Sequence, residues 1–390
     1  MGERVRGWMY DLLKGARVLD LTTIVLGPLA TRYLGDFGAD VIKVESPSGD
    51  LFRYVRPARS EGMGAGYLNS NRNKRSVTLD LKSPEGKNHL LSLLDGADVL
   101  VHNMQPETAR QLGVDPDSIR NAFPQIVYCC AAGYASGGRN AELPAYDDII
   151  QSACGAADLN CNDKGEPKFL PTIICDKVGG LHLALAVLSG LIHQTNTGQG
   201  CYIEAPMYEG IASFLLSEHL DGETFVPAIG TTGYERIVSP YRKPYATKDG
   251  YLAVLPYSTR NWVEFFTAIG RTDLAEADWV RDPAQRSDHI AELYETLAQA
   301  MLERSNSDWL KLLRDLDIPC SPVQSLDDLF QDEHLNDIDF FSEVDHPTEG
   351  RIRSVRSPFW VDGVDEKPDH PAPLLAEENS LIEWHKRDEQ

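Results

Sequence analysis

The chain has 390 residues, 42% of them apolar and 25% charged, and its 59 acidic against 37 basic side chains give a formal net charge of -22. Such a length buries one large core or two ordinary ones. The acidic balance excludes a general nucleic-acid binder, which needs a basic face for phosphates, and suits a soluble, freely diffusing protein.

The opening Met1-Gly-Glu-Arg-Val-Arg-Gly-Trp8 has no apolar signal segment, and Arg6 stands where myristoylation needs Ser or Thr. Residues 16–135 alternate short β-branched runs with helical stretches. Arg17-Val-Leu-Asp-Leu21 reads as a strand, Pro28 to Phe37 as a helix with Pro in its first turn, and Val41-Ile-Lys-Val-Glu45 as a second strand. A helix follows Ser83-Pro-Glu; then come the strand Asp98-Val-Leu-Val101, two short helices, and Gln125-Ile-Val-Tyr-Cys-Cys130. This alternation predicts an α/β fold with a parallel sheet covered on both faces. Val178 to His193, apolar almost all round, reads as a buried helix, and Cys201-Tyr-Ile-Glu-Ala205 as a strand before an amphipathic helix ending near Leu220.

From 221 to 245 the texture turns to Gly, Pro, Thr and Tyr, the mark of a linker. A smaller α+β unit follows: the strand Gly250-Tyr-Leu-Ala-Val-Leu255, a helix through Trp262 and Phe266, and helices near 288–303 and 306–316. The acidic tail beyond Asp332 carries strand-like pieces at 340–345 and 351–361, and Pro368, Pro371 and Pro373 predict an extended end lying over a surface. No apolar run approaches the roughly 20 residues of a membrane span. Seven cysteines without a Cys-x-x-Cys pair argue for reduced thiols in the cytoplasm, and the scattered histidines, His102 and His182 among them, show no metal-ligand spacing.

The residue most apt for chemistry is Asp176, in Pro171-Thr-Ile-Ile-Cys-Asp-Lys-Val-Gly-Gly180. A carboxylate at the head of an apolar helix is an N-cap, a nucleophile, or both. The helix N-terminus favours the ionised form, Lys177 adds positive charge, and Gly179 with Gly180 would let a large substrate group approach the backbone. Arg53, Arg56, Arg59, Arg72, Lys74 and Arg75 form a local basic cluster against only Glu61. It suits a polyanionic small molecule, or else a solvated face or salt bridges to the many carboxylates elsewhere in the chain. Leu21-Thr-Thr-Ile-Val-Leu-Gly-Pro28 occupies the dinucleotide-binding turn but lacks Gly-x-Gly-x-x-Gly, so NAD is not expected. Gly133-Tyr-Ala-Ser-Gly-Gly138 suggests a loop over the carboxyl edge of the sheet. Beyond it, Tyr146 and Asp147 are either ligand contacts or a packed ring and a helix cap.

The chain resembles the class III CoA-transferases, a family that includes formyl-CoA transferase and carnitine CoA-transferase, with α-methylacyl-CoA racemase as a relative. The likeness runs through Arg17-Val-Leu-Asp-Leu with Gly27-Pro28, Leu34-Gly-Asp-Phe-Gly-Ala-Asp-Val-Ile-Lys-Val-Glu45, and Asn73-Lys-Arg-Ser-Val-Thr-Leu-Asp-Leu-Lys82. It continues in Asp98-Val-Leu-Val-His-Asn103, Pro144-Ala-Tyr-Asp147 and Thr197-Gly-Gln-Gly200. The resemblance implies a Rossmann-like large domain and a small α+β domain, with two chains interlocked as a homodimer. The divisions would be 1–220 for the first part of the large domain, 221–330 for the linker and small domain, and 331–390 for the return and tail.

It further implies acyl-CoA:carboxylate CoA transfer, with Asp176 as the catalytic aspartate, acyl-CoA and a small carboxylic acid as partners, and CoA as substrate with no cofactor. The CoA contacts would fall on Ile24, Val25, Leu26, Leu79, Asp80, Leu81, Lys82, Asn103, Met104, Gln105, Tyr146 and Asp147. Ser46, Pro144 and Gln111 stand where formyl-CoA transferase has basic residues, and Val25 where it has Gln, which turns attention to Arg53, Arg75 and Arg110 for the phosphates. Its glycine-rich covering loop has no counterpart near Leu255-Pro-Tyr-Ser258. Tyr146 replaces the His of the racemases, which favours transfer over racemisation. Backbone N–H groups near Gly133 or Gly179 are the candidates for stabilising oxyanions.

Overall fold

The computed structural model describes residues 9–162, 164–362, 366–367, 369–377 and 382–385. Met1–Trp8 and Pro368, and with them the expectations placed there, lie outside the described residues. The chain divides into two compact units, Met1–Leu215 with Ile338–Gln390, and Leu216–Asp337.

The first unit is built on strands β1 (Arg17–Asp20), β2 (Asp40–Glu45), β3 (Arg75–Thr78), β4 (Val99–His102), β5 (Val127–Cys130) and β6 (Cys201–Glu204). They form one sheet in the order β3-β2-β1-β4-β5-β6, parallel throughout. This is a doubly wound order, and its direction reverses between β1 and β4. Alternate side chains feed two cores. Val18, Val41, Val99, Val127 and Cys129 face helices α1 (Leu26–Asp36) and, farther along the chain, Ile174–Thr197. Leu19, Ile42, Leu100 and Tyr128 face Leu90, Leu93 and Leu94 of α2 (Pro84–Asp95). Both faces being covered, the strands read as near-continuous apolar runs. β3 escaped the sequence reading because Arg75 and Ser76 make it look polar. Ser76 is nonetheless buried, its hydroxyl donating to Glu45 Oε1 at 2.7 Å.

Further helices of the unit include α3 (Asp147–Ala153) and α4 (Ile174–Thr197), and α5 (Met207–His219) begins in it. α4 begins earlier than the sequence suggested and is 24 residues long. By length and composition it could cross a membrane, yet it packs on α1 and the sheet through glycines. A Cβ at Gly180 would stand 2.7 Å from the Leu26 carbonyl oxygen, and one at Gly190 would stand 2.3 Å from Val127 Cγ1. The pair 179–180 therefore serves helix–helix contact and not the approach of a substrate. Gly190 lies against the amino ends of β5 and β6, beside Val127 and Cys201. The helix from Gly190 back to Asp176 spans roughly 21 Å, while a four-residue strand spans roughly 13 Å. Asp176 thus stands past the carboxyl ends of the strands.

The second unit has an antiparallel sheet of β7 (Tyr245–Ala246), β8 (Tyr251–Val254) and β9 (Cys320–Pro322). Its helices include α6 (Thr259–Ala268), α7 (Ile290–Met301) and α8 (Asn306–Asp315). Ser258 accepts the Asn261 N–H while the Asn261 side chain returns to the Ser258 backbone, a reciprocal cap that starts α6. Trp262, Phe265, Leu297 and Trp309 fill its core. In the first unit, β10 (Phe341–His346) and β11 (Gly350–Val355) make an antiparallel hairpin. The tail beyond it is not merely draped: Ala372 is buried, and the Pro373 carbonyl accepts from Arg53 and Tyr67.

Candidate active site

The loop after β1 opens the crevice at the point where the strand order reverses. Ile24 there has φ of 70°, a left-handed conformation that a β-branched side chain adopts only when its surroundings force it. Its N–H donates to Asp50 Oδ1 at 3.0 Å and Oδ2 at 3.2 Å. Lys43 Nζ holds Asp50 at 3.0 Å and donates to the Thr22 carbonyl at 2.8 Å. Thr23 and Asn103 clasp the loops after β1 and β4: the Thr23 N–H donates to Asn103 Oδ1, and Asn103 Nδ2 to the Thr23 carbonyl, both at 2.9 Å. His102 steadies the second loop. It accepts the Met104 N–H on Nδ1 at 3.1 Å and donates through Nε2 to Tyr128 Oη at 2.6 Å; Tyr128 in turn donates to the Val114 carbonyl. Burial lowers the His102 pKa to about 4, so the ring is neutral.

Below these loops a cavity of about 190 Å³ is lined by Leu79, Asp80, Leu81, Lys82 and Met104 with Leu21 and Thr23. Five of the expected CoA contacts thus share one crevice. Asn103 flanks it through its clasp with Thr23, and Gln105 begins the helix Pro106–Leu112 without a side-chain cap. Val25 and Leu26 are buried at the start of α1, where Leu26 packs on α4. Tyr146 is 69% exposed.

The basic cluster is placed otherwise than expected. Arg53 is fully buried; Nε and Nη2 grip Glu45 at 2.8 and 2.6 Å, Nη2 also meets Tyr67 Oη at 2.5 Å, and Nη1 meets the Pro373 carbonyl at 3.3 Å. Its donors are spent inside the fold, where it neutralises a carboxylate beneath the crevice. Arg75 makes a two-pronged pair with Asp40, Nε to Oδ1 at 3.1 Å and Nη2 to Oδ2 at 2.8 Å, at the amino ends of β2 and β3, the wrong edge of the sheet for a ligand at the switch point. A larger cavity of about 470 Å³ opens at that edge, around Asp40 and Arg75, away from Asp176. Arg72 pairs with Asp36 and Lys74 with Asp20; Arg110 is exposed and paired with Glu107 and Glu142. Among the residues lining the crevice, Lys82 alone is basic.

Asp176 is not the N-cap. α4 begins at Ile174, and its N-cap, Ile173, offers no side-chain hydrogen bond. The cap comes from α3: Asp147 Oδ1 accepts the Cys175 N–H at 2.7 Å and the Asp176 N–H at 3.1 Å. Asp147 Oδ2 accepts from Gln151 Nε2 at 2.6 Å. With its capping role taken, the half-buried Asp176 carboxylate accepts no hydrogen bond from the described residues. Burial, and then the charge of Asp147, raise its pKa from 3.8 to about 6. The expectation that the helix end would favour ionisation is thus overridden. Lys177 turns its ammonium onto Thr172 Oγ1 at 2.7 Å. Asp176 lies one turn before Gly179 and Gly180 on the same helix face, above the α1 terminus they touch.

The oxyanion donors proposed near Gly133 and Gly179 fare less well. In the Gly133 loop, the Ala135 N–H is bound by Glu209 and the Ser136 N–H by Glu204, while Gly179 is buried against Leu26. Sequence reasoning also passed over Gln151, although Asp147 and Gln151 stand four apart, the spacing at which helical side chains meet.

The sequence profile of CoA-transferase family III matches residues 13–379. The probable fatty acyl-CoA transferase Rv3272 of Mycobacterium tuberculosis is 32% identical over 77% of this chain and 80% of its own. Succinyl-CoA:mesaconate CoA-transferase of Haloarcula hispanica is 30% identical over 95% of each chain, and human succinyl-CoA:glutarate CoA-transferase is 28% identical over 95% of this chain and 85% of its own. A crystal structure of Rv3272 superposes with a TM-score of 0.82 at 28% identity, covering 94% of this chain and 98% of that one. An α/β chain with a six-stranded parallel sheet, this protein belongs to CoA-transferase family III and is a CoA-transferase.

Proposed function

We propose that the protein moves CoA from an acyl-CoA donor to a carboxylic acid acceptor through covalent intermediates on Asp176. The Asp176 carboxylate attacks the thioester carbonyl, the C–S bond breaks, and an aspartyl–acyl anhydride and CoA thiolate result. The thiolate attacks the Asp176 carbonyl carbon; the donor acid leaves as carboxylate and an aspartyl-CoA thioester remains. An acceptor carboxylate attacks that thioester, giving a new anhydride and thiolate. The thiolate then takes the acyl group and restores Asp176. Each step exchanges bonds of similar energy, so one hard transfer becomes several easy ones.

The observation that carries this reading is the Asp176 carboxylate itself. It stands at the ligand-binding edge of the sheet, half-buried, accepting no hydrogen bond from the described residues, with a pKa of about 6. A nucleophile of that basicity is ionised at neutral pH yet little stabilised, which favours attack. The crevice lined by Leu79–Lys82 and Met104 would take the nucleotide end of CoA, with Lys82 at its phosphates, and this remote binding positions the thioester. We also propose the interlocked homodimer, since Leu185 and Ile192 of α4, 60% and 63% exposed, form apolar surface that calls for a cover. The relatives' names pair succinyl-CoA with glutarate or mesaconate, so these thioesters and acids head the assay panel. Exchange measured across succinyl-, acetyl- and other acyl-CoAs should be abolished in Asp176→Ala. Normal exchange by that variant would refute the mechanism, and deuterium entering the substrate α-carbon without acceptor acid would indicate racemisation instead.

A further inference from the structure

We infer that Asp147 is the positioning residue for Asp176, setting through one carboxylate both where the nucleophile stands and the charge it feels. The inference rests on the proposed role of Asp176 and concerns how the fold prepares it.

The geometry begins with what α4 lacks. A helix leaves its first N–H groups without intrahelical partners, and the N-cap Ile173 cannot serve them. Asp147, only 6% exposed, reaches across from the first position of α3 and takes two of them on a single oxygen. Its second oxygen is fixed by Gln151, 1% exposed, one turn along the same helix. Gln151 also accepts the Leu170 N–H at 2.9 Å, so the strand of chain entering α4 is strapped to α3 on both sides of the cap. An Asp176 rotamer aimed at a thioester therefore stands on a backbone held by α3. Misplacement of a reacting group by about 1 Å costs up to about a hundredfold in rate.

Asp147 is also the charge that reaches Asp176. On its own helix Lys177 is engaged with Thr172, and Cys175 is buried and uncharged in its thiol form. α1 presents Leu26 and Leu29 at this face. Glu209 of α5 and Glu204 of β6 are committed to the Ala135 and Ser136 amides. Of the remaining groups on α3, Asp148 is exposed; just past the helix, the Cys154 thiol pKa is lowered by its hydrogen bond with Cys175. On β5, the Cys129 and Cys130 thiols are both raised by burial, and Tyr128 is engaged with His102. After burial, Asp147 is accordingly the electrostatic cause of the raised Asp176 pKa. One carboxylate thus raises the basicity of another while restraining its backbone.

The test is the pH profile of kcat/KM for CoA exchange, run on the parent, Asp147→Asn and Gln151→Leu, alongside mass spectrometry of Asp176 after incubation with acyl-CoA and hydroxylamine. In the parent the acid limb should fall near pH 6. Asp147→Asn keeps the shape and loses the charge; its acid limb should move to lower pH while burial, the larger cause, still holds it above the ordinary carboxylate range, and kcat should fall about tenfold or more with KM little changed. Gln151→Leu keeps the charge and loosens the strap, so kcat should fall with the acid limb in place. An acid limb unmoved in Asp147→Asn would overturn the inference even if activity dropped, because a merely structural residue would do that. Absence of any Asp176 adduct in the parent would instead sink the nucleophile assignment on which the inference stands.

Discussion

Asp176→Asn replaces a carboxylate by a neutral group of the same shape, and the structure gives the consequence a sign. The folded chain holds the Asp176 proton with a pKa of about 6, against 3.8 for an unperturbed aspartate. The folded state therefore binds that proton more tightly than the unfolded state does. The resulting contribution to stability is fully present below about pH 4 and is lost as the pH rises through 6. Above that, ionisation inside the fold costs about 3 kcal/mol at 1.36 kcal/mol per pH unit of difference. Partial exposure of the side chain lets solvent screen the charge and trims the cost to about 1–2 kcal/mol. Asp176→Asn should thus be more stable than the parent by about 1–2 kcal/mol at about pH 8, with the gap closing toward about pH 4. Thermal or urea unfolding of both proteins across that range measures it. A variant no more stable than the parent at the alkaline end, or a gap that ignores acidification, would show that the folded state does not hold this proton more tightly.

Lys82→Ala should raise KM for acyl-CoA about tenfold with kcat nearly unchanged, because a lost phosphate contact removes binding common to ground and transition states; initial-rate kinetics decide it. Arg53→Met should destabilise the protein by about 3–5 kcal/mol by leaving Glu45 buried and unpaired, seen as a lowered unfolding midpoint. Gly180→Ala gains about 1 kcal/mol of helix propensity. Its Cβ would nevertheless stand 2.7 Å from the Leu26 carbonyl oxygen, so α1 must move and the net effect should be a loss of about 1–3 kcal/mol.

Where the sequence succeeded, the signal was local. β1, β2, β4, β5 and β6 are β-branched or apolar runs feeding two cores, and their pattern carries that fact without any partner being known. α4 was visible for the same reason, as a helix apolar almost all round. Its true start was not, because the cap that begins it is Asp147, on another helix and far upstream. The basic cluster misled in the opposite way. Counting charges between Arg53 and Arg75 finds an apparent phosphate site, but the carboxylates that pair with Arg53, Arg72, Lys74 and Arg75 lie on β1, α1 and β2, and Arg59 meets the Glu349 and Arg351 carbonyls. Pairing of that kind is a property of the folded sheet. Glycines 179 and 180 were correctly singled out as points of close approach; what approaches them is α1. The likeness of motifs placed Leu79–Lys82 and Met104 in one crevice, although no periodicity in the chain would have joined them.

The proposed transfer depends on the Asp176 carboxylate becoming covalently bonded during turnover. Peptide mass spectrometry of the enzyme quenched with hydroxylamine during exchange tests it most directly. An aspartyl hydroxamate should appear at Asp176, formed only when acyl-CoA is present and absent from Asp176→Asn. Sustained exchange with Asp176 recovered unmodified, or with the adduct on another residue, would contradict it.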